Sequence, residues 1–239
     1  MKFTPDYGAT ITLLFLLLSV DAAFIGIHIL HVWSPWLTSQ AFSIETDRGI
    51  AEIYQYIKLF WLSLCLILIY LQTRLRVFIG WAVLFAFLLL DDAMQIHERA
   101  GFWLGATLNL PEFAGLRPDD CGELLFAALI GCLTLGLAAH ALWRGRPSAR
   151  QASRDLLCLV GLLACFGVGA DLLHVIAHFR IPAISAPLAL IEDGGEMIVI
   201  SAMTGYVFDI ASNSGKMRIN LWLRIEQIWK PVDPAEQPV

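Results

Sequence analysis

The sequence is poor in charged residues. Only 15% of its 239 residues are Asp, Glu, Lys or Arg, whereas soluble domains contain about a quarter. Hydrophobic residues make up 58%, and long polar stretches are few, which leaves little room for a separate soluble domain. The formal net charge of -5 and the lack of a basic stripe argue against nucleic-acid binding. These deficits favour a single membrane domain.

Paired cysteine motifs are also missing. None of the five cysteines lies in a CxxC pair, and four of them fall inside apolar runs, so we interpret them as small core residues. The absence of a CxxCH motif argues against a covalently attached c-type haem.

Several apolar runs are long enough to cross a bilayer, and each must be helical because backbone groups in lipid have to bond internally. The first run follows Lys2 as a signal peptide would, but its apolar character continues through residues 24–32. We therefore interpret it as a retained first helix. The sequence predicts an all-α integral membrane protein with six transmembrane helices in residues 1–211. The predicted spans are 8–32, 52–72, 77–97, 122–143, 155–178 and 187–210.

The last part of the chain, residues 212–239, differs in character. Residues 216–230 alternate basic and apolar groups at helical spacing, which predicts an amphipathic helix on the membrane surface. Residues 231–239 are predicted to be a disordered tail.

Lysine and arginine counts predict the orientation. Eleven of the 16 fall on one side of the six predicted spans and four on the other, while Lys58 lies inside a span. Because basic residues favour the cytoplasmic side, we expect both termini to be cytoplasmic in a multi-pass inner-membrane protein. The four residues of the outer side are Arg48, Arg99, Arg117 and Arg180.

Ionisable residues occur in all six predicted spans, and such residues are costly in a bilayer. With the predicted orientation, all six spans place polar side chains in the outer half of the membrane. Scattered structural residues would not be expected to share one leaflet. The principal members are Asp21, His28 and His31, then Glu52 and Lys58, then Asp91, Asp92, His97 and Glu98, then Asp120 and Glu123, then Asp171, His174 and His178, and finally Glu192, Asp193 and Glu196.

A bound divalent metal is the leading interpretation of this cluster, because many carboxylates cannot stay ionised together in a dry pocket without a cation. Mixed His and carboxylate ligands suit zinc or iron, and ligand pairs at helical spacing are typical of metal sites in bundles. We expect Asp91 and Glu123 to act as acid–base groups. The predicted metal ligands are Asp92, His97, Glu98, Asp171, His174, His178, Glu192 and Glu196.

Simpler interpretations compete for some of these residues. His28 has the position of a hydrogen-bonded packing residue. His31, His178 and Glu98 lie near the predicted outer interface and could be solvated there. Asp120 has the position of a helix cap. Protonated carboxylates and histidines could also form a proton relay without any metal.

Two motifs, residues 90–98 (LDDAMQIHE) and 192–197 (EDGGEM), resemble a pattern in uncharacterised bacterial six-helix membrane proteins. More loosely, the intramembrane Asp and His residues, with the His174-x-x-x-His178 pair, resemble the superfamily of alkaline ceramidases and adiponectin receptors. That superfamily has seven helices, with its His pair on the last, and uses a buried zinc to hydrolyse lipid amides. The resemblance implies a metal-dependent hydrolase.

Three functions fit these features. The first is a metal-dependent enzyme, either a hydrolase or a di-iron oxidoreductase, acting on a lipid or another membrane-soluble substrate. The second is a metal-ion or proton-coupled transporter, although the inner halves of the spans are strongly apolar. The third is an accessory subunit of a larger membrane complex. Expected partners are membrane lipids and a further membrane protein or a second copy of the chain, but no nucleic acid.

Overall fold

The computed structural model describes residues 7–113, 115–180 and 184–213, and it is built from helices. No strand occurs among these residues, which confirms the predicted all-α fold. A short 3-10 turn, Gln40–Phe42, lies between the first two helices. The helices are α1 (Tyr7–Trp33), α2 (Ile50–Thr73), α3 (Val77–Met94), α4 (Ile96–Leu108), α5 (Pro118–Arg144), α6 (Pro147–Ala164), α7 (Asp171–Arg180) and α8 (Ser185–Ser212).

The third predicted span, 77–97, is interrupted before its end. Gln95 adopts a left-handed conformation with φ of 52°, and its N–H donates to the carbonyl oxygens of Asp91 and Asp92. This turn ends α3 at Met94 and starts a separate helix, α4, that the apolar pattern does not predict. Asp91, Gln95 and Glu98, which an unbroken helix would place on one face, therefore do not share a face, because the helix does not continue through Gln95.

Small residues pack α4 against the start of α5. A side chain at Gly122 would overlap the carbonyl group of Gly101, and one at Gly105 would overlap the backbone of Pro118. Close helix approach of this kind requires residues without a Cβ at the contact. The fourth predicted span, 122–143, thus begins earlier than expected, at Pro118, which occupies the first turn of α5 as proline commonly does.

The fifth predicted span, 155–178, consists of three consecutive segments. After α6, residues Cys165–Ala170 form a π-helical segment, and α7 follows directly at Asp171. A π segment adds one residue per turn and changes the rotational phase of everything after it. It therefore changes the direction in which the side chains of α7 point relative to α6.

Helix α8 lies at the centre of the bundle. It contacts α1, α2, α6, α7 and the π segment, and its Met197, Met203 and Val207 are fully buried. The main apolar core combines these contacts with side chains of α2 and α3, such as Leu62 and Trp81, neither of which is exposed. The predicted sixth span, 187–210, is thus helical, and it is the hub on which the other helices pack.

Five helical segments among the described residues are long and apolar enough to cross a membrane. Large apolar side chains cover their outer faces, including Phe15, Val83 and Leu133, each more than 60% exposed. Such an apolar exterior is compatible with a multi-pass membrane protein. Helix α8 is not one of the five, since carboxylates interrupt its apolar sequence. The segments are Gly8–Trp33, Ile50–Thr73, Val77–Met94, Pro118–Arg144 and Pro147–Val175.

The predicted amphipathic helix at 216–230 and the tail at 231–239 lie outside the described residues, so both stay predictions.

Candidate functional site

Six helix ends meet at one end of the bundle. The C-terminal ends of α1, α3 and α7 lie there with the N-terminal ends of α2, α5 and α8. We call this region the acidic end. Polar contacts join its loops and helices: the Arg48 guanidinium donates to Gln95 Oε1 at 3.0 Å, and the Gln95 amide donates to Asp47 Oδ2 at 3.2 Å. The ionisable residues predicted to share one half of the membrane are concentrated at this end.

Asp91, Asp92 and His97 form the tightest group of potential metal ligands among the described residues. One ligand atom from each lies within 4.8 Å of the other two. His97 Nδ1 is 3.3 Å from Asp91 Oδ2. Asp91 is 9% exposed, and its Oδ1 is buried without a hydrogen-bond partner among the described residues. A buried carboxylate oxygen normally has a partner. The three side chains therefore offer the ligand atoms that a cation needs, and Asp91 Oδ1 keeps a lone pair that is not used by a hydrogen bond among the described residues.

The break at Gln95 brings these three residues together. Asp91 and His97 are six positions apart, which on an unbroken helix is about 120° away around the axis. The left-handed turn at Gln95 redirects the chain and returns His97 to the end of α3. Hydrogen bonding to Asp91 raises the pKa of His97 to about 9. Metal binding at this point would accordingly release a proton.

Two other predicted site residues of this region lie outside that group. Glu98 is exposed on α4. Glu123, at the start of α5, packs beside Gly101 and is close enough for its charge to act on His97. Asp120 lies in the first turn of α5, three residues after the N-cap residue Arg117, and its carboxylate accepts from the Arg117 backbone N–H at 2.8 Å. Asp120 therefore helps to cap α5 through a capping box, but the cap position expected for it belongs to Arg117.

His174 belongs to a second group, built by α7 and α8. Its Nδ1 lies 3.2 Å from Glu192 Oε2 and its Nε2 lies 3.1 Å from Ser185 Oγ. Both ring nitrogens are therefore engaged by side chains. Ser185 is a residue that the sequence patterns did not single out. The side chain of His178, which is also on α7, lies outside the described residues.

Glu196 occupies the space between the two groups. Its carboxylate faces Gly167 of the π segment, where any side chain would overlap it. The charges of Asp92, Asp193, Glu192 and Asp171 all act on it. The predicted carboxylates of α3, α7 and α8 are thus electrostatic neighbours, although they do not surround a single point.

His28 has a structural environment. The Ile44 backbone N–H donates to His28 Nδ1 at 3.3 Å, and Glu45 Oε1 lies 3.5 Å from Nε2. These contacts fasten the 40–45 loop to α1, which fits the packing role expected for His28.

A buried ion pair lies deeper in the bundle. The Lys58 ammonium donates to Asp21 Oδ1 at 2.8 Å, to the Met197 carbonyl oxygen at 2.8 Å and to Ser201 Oγ at 3.1 Å. Ser201 also donates to Asp21 Oδ2 at 2.5 Å, and Lys58 is not exposed at all. This group joins α1, α2 and α8. The sequence signals it through a single lysine and a single aspartate in otherwise apolar helices, but it does not show that they pair.

These features define an all-helical protein with five helices suited to crossing a membrane and an acidic, histidine-containing end. A protein-family model described as a domain of unknown function (DUF8692) matches residues 9–210. The chain therefore belongs to that family. No curated protein and no solved structure matches the chain.

Proposed function

We propose that the chain is an inner-membrane protein of six transmembrane helices, with α8 as the central span, and that it binds one divalent metal ion through Asp91, Asp92 and His97. The six-span topology is supported by the up-and-down course of the helices, in which α8 runs antiparallel to α1 and spans the same height. Thr10 near the start of α1 donates to Asp209 near the end of α8, while the two opposite helix ends belong to the acidic end. The basic residues predict that the acidic end faces outward, with both termini in the cytoplasm.

Two observations carry the metal proposal: one ligand atom from each of the three residues lies within 4.8 Å of the others, and the buried Asp91 Oδ1 has no hydrogen-bond partner among the described residues. Three protein ligands leave a coordination position open, as in catalytic rather than structural zinc sites. One histidine and two carboxylates suit zinc or iron. Such an ion would supply polarisation of a carbonyl group and activation of water, which supports a metal-dependent enzyme acting on a membrane-soluble substrate.

Transport is less well supported. Between the acidic end and the opposite end, the centre of the bundle is filled by fully buried apolar side chains, including Leu62, Leu66, Phe85 and Met203. Lys58 and Asp21, the buried polar groups between the acidic end and this apolar centre, already bind each other. The accessory-subunit hypothesis has no particular contact in its favour.

Metal content measured by mass spectrometry on detergent-purified protein, prepared without chelator, tests the proposal. We expect about one zinc or iron per chain in the wild type, and less than a tenth of that in Asp92→Asn and His97→Gln. Glu98→Gln is the matched comparison because it makes the same kind of change one residue away, on an exposed side chain. Wild-type protein without stoichiometric metal, or equal metal in all four proteins, would contradict the assignment.

A further inference from the structure

Ser185, His174 and Glu192 form a hydrogen-bonded row at the acidic end. Ser185 Oγ is 3.1 Å from His174 Nε2, and Glu192 Oε2 is 3.2 Å from His174 Nδ1. The side chains of His174 and Glu192 are 28% and 19% exposed, so the row is sheltered but reachable. We propose that these residues are the nucleophile, base and orienting carboxylate of a site that hydrolyses acyl esters of membrane lipids.

The two contacts of the His174 ring place its proton and its lone pair where serine hydrolysis needs them. With Nδ1–H donating to the Glu192 carboxylate, Nε2 carries the lone pair and accepts the Ser185 hydroxyl proton. Both distances fall within or close to the range for a nucleophile, its base and the group that orients the base. The carboxylate also stabilises the imidazolium that forms when His174 takes the proton.

The helix start supplies a place for negative charge. Ser185 is the first residue of α8, and the first N–H groups of a helix have no acceptor inside that helix. The N–H group of Ala186, the residue after Ser185, is of this kind, and Pro187 has none. Backbone donors next to the nucleophile are the usual means of stabilising the oxyanion of a tetrahedral intermediate.

The surroundings favour a substrate with an acyl chain. Each of the three residues directly follows an exposed apolar side chain: Leu173 is 57% exposed, Ile184 43% and Ile191 52%. The row lies at the end of helices suited to spanning a membrane, where the ester groups of lipids meet the hydrocarbon. An acyl chain would cover these apolar side chains while its carbonyl group reaches Ser185.

The reaction balances with water alone. Ser185 Oγ bonds to the acyl carbon as its proton moves to His174 Nε2, and the bond from that carbon to the alcohol oxygen breaks as His174 returns the proton to the departing oxygen. Water then gives a proton to His174 and its oxygen to the acyl carbon. The bond to Ser185 Oγ breaks, Oγ regains the proton, and a fatty acid leaves.

This assignment does not depend on the metal proposal, and it gives His174 and Glu192 a role other than the predicted metal ligation. The two ring nitrogens of His174 are occupied by Ser185 and Glu192. EDTA should therefore leave the reactivity of Ser185 unchanged, whereas it should remove the ion proposed at Asp91.

Labelling of the full-length protein in detergent with a fluorescent fluorophosphonate tests the proposal, because the probe bonds to an activated serine as fluoride leaves. We expect mass spectrometry to find the adduct on Ser185, with and without EDTA, and hydrolysis of p-nitrophenyl octanoate by the same protein. Ser185→Ala should abolish labelling, and His174→Gln and Glu192→Gln should each slow hydrolysis by about 10²- to 10⁴-fold. Ser212→Ala, at the other end of α8, is the control and should match wild type.

Size-exclusion profiles and melting temperatures establish that each variant is folded. Because Ser185→Ala removes one oxygen from a residue at a helix end, it should fold even where a His174 variant does not. Folded wild type that is neither labelled at Ser185 nor hydrolytic overturns the proposal. Hydrolysis at the wild-type rate by folded Ser185→Ala overturns it equally.

Discussion

The exchange of Lys58 for methionine should strongly destabilise the protein. Methionine has a similar length but no charge, so Lys58→Met leaves Asp21 as an uncompensated buried carboxylate between α1, α2 and α8. In the wild type the ammonium makes three hydrogen bonds, to Asp21, Met197 and Ser201. It also lies 4.5 Å from the centre of the Tyr54 ring, a cation–π contact. All of these interactions disappear together.

Removal of one partner from a buried ion pair costs about 3–5 kcal/mol. For a chain of this size, a loss of 1 kcal/mol lowers the melting temperature by about 2–4 °C, so a shift on the order of 10 °C follows. The double variant Asp21→Asn with Lys58→Met removes both charges while Asn keeps a partner in Ser201. Replacement of a whole buried ion pair by neutral groups often changes the free energy of unfolding very little. The double variant should therefore be more stable than Lys58→Met alone.

Thermal unfolding in one detergent, followed by tryptophan fluorescence, gives the four melting temperatures of this cycle. Asp209→Asn is the matched comparison, since Asp209 is equally buried and also joins α8 to α1, through Thr10, but it makes no contact with a lysine among the described residues. It should lose less stability than Lys58→Met. Additive losses from Asp21→Asn and Lys58→Met would refute the reasoning, because a real pair must show coupling.

Three further substitutions test the fold. Gly122→Ala should lower the free energy of unfolding by about 1–3 kcal/mol through overpacking, because the new Cβ would overlap the backbone of α4. Gly131→Ala, on the same helix but with open space around it, is the control and should leave the melting temperature unchanged or raise it. Gln95→Ile places a β-branched residue at a φ of 52° and should lose about 1–2 kcal/mol, whereas Gln95→Gly should not. Tyr206→Phe leaves the buried Asp155 without the hydroxyl that donates to it at 2.9 Å; chemical denaturation should find it less stable by about 1–3 kcal/mol, and an unchanged midpoint would show that this bond contributes nothing.

The helical content and the concentration of polar groups at one end were predictable from the sequence. Apolar runs of this length in a chain with so little charge leave few alternatives to helices. Successive predicted spans alternate in direction, so acidic residues near the end of α3 and near the start of α8 must come to the same side. Glu192 and Asp92 illustrate this, since both lie close enough to Glu196 for their charges to act on it.

The composition of each site was not predictable, because it depends on rotation and interruption of helices rather than on spacing. A periodic pattern assumes a regular helix, yet Gln95 turns the chain and brings His97 to Asp91. In the same way, the π segment 165–170 changes the phase of α7 before His174. The turn at Gln95 is not marked by a proline or a glycine at the turning residue, whereas the π segment contains Gly167 and Gly169.

The sequence by itself therefore determined that the long apolar runs are helical and at which end of the bundle the ionisable groups collect. Those properties follow from local composition and from the direction of the chain. The tertiary structure alone decided the partners: Lys58 with Asp21, 37 residues away, and His174 with Ser185 and Glu192. A hydrogen bond extends only about 3 Å, so its partner depends on how two helices are rotated and packed, and that is a property of the whole bundle.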